Sequence, residues 1–183
     1  MSENPQVDPF DADEEHLSAL GPRFILALAA KDKNDLDTAG EILRDILRIE
    51  PRLAEPQLEL ARILLDQGQL DDAEVYAREA VQILDAGGQW TDELPEAVLR
   101  SLAWDLLGEI LRMKADDDEV VFGDEAVWKT LVGEARDCFV TAARLDPNNE
   151  HAVQAAFGFD PAALVDDDAE LPTGPVLLEE PEA

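Results

Sequence analysis

Two histidines, one cysteine and many carboxylates are what this 183-residue chain offers for chemistry. A zinc site needs His, Cys, Asp or Glu ligands at close, characteristic spacing. His16 and His151 stand far apart, and neither has a cysteine or second histidine beside it. The run Asp116-Asp117-Asp118-Glu119 has charge enough for calcium. It lacks the alternating ligands, turn glycine and distal glutamate of a helix–loop–helix calcium site, and reads as a solvated loop. Cys138 sits beside Phe139 in an alanine-rich stretch, which predicts a buried, inert thiol rather than a nucleophile. Gly87-Gly88 is not followed by the Lys-Ser/Thr of a phosphate-binding loop. A general acid needs a dry pocket to raise its pKa, and nothing in the sequence marks one. Asp8-Pro9-Phe10 matches a short trafficking tripeptide, a chance-level match in a polar segment. The expectation is a non-enzyme with no catalytic residue, no metal and no cofactor.

Charge is the stronger signal. Acidic residues number 43 against 14 basic ones, for a formal net charge of -29. Such a surface repels nucleic acid and attracts and steers a basic protein. Solubility or a salty cytoplasm accounts for the acidity equally well. Self-repulsion predicts stability that rises with salt. The lone cysteine excludes an intramolecular disulfide and fits a reducing compartment. Residues 1–13 lack the basic and apolar regions of a signal peptide. No apolar run reaches the roughly 18 residues of a membrane span. A cytoplasmic protein is expected.

The elements that carry these residues are helical. Hydrophobic residues make up 46% but aromatics only 5%, and Ala and Leu dominate, which suits close helix packing better than a sheet. Residues 1–13 and 159–183 read as acidic, disordered tails, the second Pro-rich with a short apolar cluster at Val176-Leu177-Leu178. Between them, apolar residues recur at spacings of three and four. Helices are predicted near 14–32, 36–49, 54–67, 70–85, 94–114, 124–146 and 149–158. Asn34-Asp35, Pro51, Gly68, Gly87-Gly88 and Pro147 supply the breaks. Connections this short predict antiparallel neighbours.

A repeat runs through this pattern. Leu36 and Leu70, Ala39 and Ala73, and Ile46 and Ala80 each stand 34 residues apart. Ala27, Ala61 and Gly108 fall where paired helices must cross, and Ala39, Ala73 and Ala135 serve the opposite helix in the same way. Trp104-Asp105-Leu106-Leu107-Gly108-Glu109-Ile110-Leu111 resembles the first-helix signature W-x2-L-G-x2-Y of the tetratricopeptide repeat (TPR), with leucine for tyrosine. Ala135 to Phe139, then Ala142 and Pro147, resembles the second-helix signature of the same family. The resemblance spans roughly residues 20–158. It implies an all-α, short right-handed solenoid of about three antiparallel helix pairs, with 149–158 as a C-terminal capping helix. The third pair is interrupted by an insertion at about 115–129. Residues 14–158 form the helical domain.

The family resemblance also implies a function: such repeats bind another protein along the face lined by the first helix of each pair. In this register that concave face presents Phe24, Leu28 and Lys31, then Leu58, Arg62 and Leu65, then Asp105, Glu109 and Arg112. This apolar strip with a few charges suits a short helix or extended segment. Some family members hold the acidic C-termini of heat-shock chaperones in a Lys/Asn clamp. The matching positions here are Phe24, Leu28, Leu58, Arg62, Asp105 and Glu109, so that clamp is absent. A covering of Phe24 and Leu58 by the first helix or a tail is the competing reading. In the insertion, Val121, Phe122 and Trp128 either extend the core against Leu94, Val98 and Leu102 or form a second docking patch. The functional expectation is an adaptor or scaffold subunit. A chaperone for a basic client and a nucleic-acid mimic that occupies a basic groove are the alternatives.

Overall fold

The computed structural model describes residues 14–91 and 93–159, with side chains placed from Leu17 to Gly158. Both tails lie outside the described residues, with Asp8-Pro9-Phe10 and Val176-Leu177-Leu178, as does the His16 side chain. Eight helices follow one another and no strand occurs among the described residues. They are α1 (Glu14–Asp32), α2 (Leu36–Ile49), α3 (Ala54–Asp66), α4 (Leu70–Asp85), α5 (Glu96–Ala115), α6 (Asp118–Val121), α7 (Glu125–Leu145) and α8 (Glu150–Phe159). α1 packs on α2, α3 on α4 and α5 on α7; α2–α3 and α4–α5 contacts join the pairs, and α8 closes on α7. The result is an all-α solenoid of three helix pairs.

The turns inside the first two pairs use one device. Asn34 (φ 61°) and Gly68 (φ 71°) take the left-handed conformation, 34 residues apart. In each turn the following N–H reaches back to a carbonyl five residues upstream: Asp35 to Ala30 at 3.0 Å, Gln69 to Leu64 at 2.9 Å. This closes the carbonyls that a helix end leaves open. Gly87 (φ 81°) ends α4 in the same way. Space around Gly68 is open, so a side chain there meets no neighbour. Gly68→Ala should therefore register backbone strain alone, a loss of roughly 1–2 kcal/mol. Differential scanning calorimetry should show a melting point lower by about 2–8 °C.

The small residues do what the repeat requires. Ala27, Ala39, Ala61, Ala73 and Ala135 are all buried in one core. A Cβ built on Gly108 would stand 3.0 Å from the Phe139 ring and 3.1 Å from Cys138 Cβ. Phe139, fully buried on α7, thus fits over α5 because Gly108 has no side chain.

The structure departs from the sequence expectation at two places. Helix α5 starts at Glu96, not 94, with Pro95 as its N-cap residue, so Leu94 stays in the connector. The insertion holds a further short helix, α6. Its acids are local caps: Asp117 accepts the Glu119 N–H and Asp124 the Ala126 N–H, both at 2.8 Å. Gly123 is required where a Cβ would fall 2.3 Å from the Glu119 carbonyl oxygen.

Candidate partner-binding face

The connector between α4 and α5 folds back over the first two helix pairs. Trp90 lies against Phe24 of α1, ring centroids 5.5 Å apart at 52°. Glu55, buried in the first turn of α3, accepts from the connector. The Trp90 N–H donates to it at 3.0 Å, the Thr91 N–H at 2.7 Å and the Thr91 hydroxyl at 3.2 Å. Ionised acceptors make stronger hydrogen bonds than neutral ones, so this one carboxylate fixes the path of the connector. Among the described residues, what lies over Phe24 is this connector. It is a loop whose tie, Glu55, reads in the sequence as one more surface acid. Trp90, an aromatic in a connector that opens with Gly87-Gly88, is the signal that was there to be read.

A cleft of about 100 Å³ remains beside this loop, lined by Phe24, Leu28, Leu58, Leu94 and Leu99 with Glu55, Glu59, Thr91 and Glu93. Its floor is apolar and its polar lining is mostly acidic. Phe24, Leu58 and Leu65 are buried, and Leu28 is half-buried. Lys31 pairs with Glu59, tying α1 to α3. Arg62 is half-buried and has no ion pair among the described residues.

The three α5 residues do not join this cleft. Asp105, its side chain 14% exposed, faces the capping helix, with its Oδ1 2.8 Å from His151 Nδ1. The His151 ring stands edge-on to Phe139. Arg112 pairs with Asp116 at 3.2 Å, and Glu109 is half-buried.

In the insertion, Phe122 is 83% exposed, and Val121 and Trp128 are also exposed. Leu131, one turn after Trp128, packs on the core. The first turns of α7 thus stand clear of α5, and the apolar residues before Leu131 face outward.

Cys138 lines a second depression of about 330 Å³ with Trp104, Leu107 and Arg78. Burial pushes its thiol up to about 12, which leaves it protonated and unreactive at neutral pH. No group of three or more His, Cys, Asp or Glu among the described residues is arranged to hold a metal ion. No helix among them is long and apolar enough to cross a membrane.

Paired helices in a 34-residue period, stacked to leave a lined inner face, define a helical repeat protein. A family model for the tetratricopeptide repeat matches residues 30–110, so that part of the chain carries the repeat. The N-terminal domain of stress-induced protein-1 (STI-1) from C. elegans shares this fold with a TM-score of 0.56. The match covers 76% of this chain and 94% of that one at 11% sequence identity. No curated protein matches the chain. The fold is in general that of a protein–protein interaction module.

Proposed function

We propose that the chain is a non-catalytic adaptor or scaffold subunit that holds a segment of another protein on its concave face. The observation that supports this most directly is the cleft beside the α4–α5 connector, apolar at its floor and lined by Glu55, Glu59 and Glu93. Apolar side chains would insert there, and Lys or Arg flanking them would meet the carboxylates. Leu94 is exposed at the rim of this cleft and lies outside any helix, so it can be changed without disturbing a helix crossing. Leu94→Arg with Glu93→Lys should leave the helical content intact and weaken partner binding about tenfold or more. The test is capture from native extract, with the captured protein then titrated against parent and variant. Equal affinity for both would remove the cleft from the binding site.

A second reading is a chaperone for a basic client. Most Lys and Arg side chains are already neutralised within the chain: Arg78 bridges Glu74 and Glu134, Lys114 bridges Asp71 and Glu74, and Arg100 pairs with Asp85. The acids are in large excess, so the surface left over is negative. Salt separates the two readings. At about 0.5 M, screening acts within roughly 4–5 Å. Binding through the apolar floor should keep most of its affinity there, whereas charge shielding should lose most of it.

A further inference from the structure

The first helix of the stack carries an apolar face that has no neighbour among the described residues. Ile25 is 64% exposed and Leu26 61%. The repeat register says what that face is. Leu26 corresponds to Leu60 in α3 and Leu107 in α5, and Ala29 to Ile63 and Ile110. All four counterparts are buried. Beside Leu60 and Leu107 lies the second helix of the preceding pair. Gly40 of α2 lies over Leu60, its Cβ position 3.9 Å from a Leu60 methyl. Arg78 and Val81 of α4 stand with Leu107 around one depression.

The contact between α4 and α5 also has a polar end. Lys114, near the C-terminus of α5, reaches Asp71 and Glu74 in the first turns of α4, at 2.6 and 2.8 Å. Burial lowers the Lys114 pKa, but these two carboxylates outweigh it and hold the ammonium above its usual range. Lys33 occupies the same register position after α1. It is exposed and has no ion pair among the described residues.

We propose that this face of α1 is a docking site for an amphipathic helix of a partner protein. The helix runs antiparallel to α1 as α4 runs against α5, its apolar stripe on Leu26 and Ala29 and its acidic first turn at Lys33. The occupant's chemistry is read from α2 and α4, which fill the equivalent places. A second copy of the chain fits less well, because two surfaces of charge -29 repel. The site is separate from the concave cleft and does not rest on it.

The probe is a labelled peptide of residues 69–86, which contains α4, titrated against the full chain by fluorescence anisotropy. Saturable binding is expected, weakened about tenfold or more by Leu26→Asp and a few-fold by Lys33→Glu. A peptide with lysine at the positions of Asp71, Asp72 and Glu74 should bind the Lys33→Glu variant better than it binds the parent. Leu94→Arg should leave all of this unchanged, which separates failure here from failure of the concave-face reading. Three outcomes overturn the proposal. One is no saturable binding up to about 1 mM, where the free energy is only about 4 kcal/mol. Another is binding that both α1 substitutions leave unaltered. The third is a dimer in sedimentation that Leu26→Asp converts to monomer, which would give the face to a second copy.

Discussion

Ala73→Trp should cost about 3 kcal/mol or more and lower the melting temperature by roughly 6–12 °C. Ala73 opens α4 and is fully buried in the contact with α3. A helix crossing closes to its working distance only where the side chain between the backbones is small. Trp finds no free space in the α3–α4 contact, where Ala61 and Leu64 of α3 and Ala77 of α4 are themselves fully buried. The central pair carries both inter-pair contacts of the stack, so separating α3 from α4 loosens α2–α3 and α4–α5 together. Thermal unfolding followed by circular dichroism reads the effect. A variant that melts within a degree or two of the parent would mean that the crossing lies elsewhere.

Glu55→Ala should cost about 2 kcal/mol or more, an effect out of proportion to removing one acid from a chain with a large acidic excess. The substitution leaves the Trp90 and Thr91 N–H groups without their acceptor, and hydrogen bonds to charged groups contribute about 1.5–3 kcal/mol. It also frees the Trp90 ring from Phe24, which no other described tie holds in place so directly. Two measurements should move together. The melting temperature should fall by roughly 4–8 °C, and limited chymotrypsin digestion should cut after Trp90 faster than in the parent. Glu55→Gln keeps an acceptor oxygen and should fall between the two. If Glu55→Ala leaves both the melting temperature and the cleavage rate unchanged, the connector is not held by this carboxylate.

These two positions also mark how far the sequence is readable. Ala73 was legible because it recurs: the 34-residue period brings Ala39 and Ala73, and Asn34 and Gly68, into the same structural roles. Recurrence plus local chemistry also fixed the helix ends, since proline, glycine and capping residues act within a few positions of themselves. Glu55 and Trp90 were not legible in the same way. Their contact spans 35 residues and occurs once, so no period announces it. Nothing local to Glu55 distinguishes it from the chain's other acids. The concave strip follows from the repeat register, but register does not reveal what else lies over a position. Phe24 and Leu58 are therefore buried where free surface was expected. Asp105 faces His151 because the capping helix closes on that side.

In a plain stack of repeats each unit touches only its neighbours, and the ends are free to fray one unit at a time. Trp90 breaks that rule. It belongs to the approach to the third pair, its ring rests on Phe24 of the first, and its backbone is held by Glu55 of the second. One residue thus closes a circuit through all three units, and opening the first pair requires releasing the connector that leads into the third. The energetic unit is then larger than the structural repeat. α1 gives up its protection from local unfolding together with the centre of the molecule rather than before it.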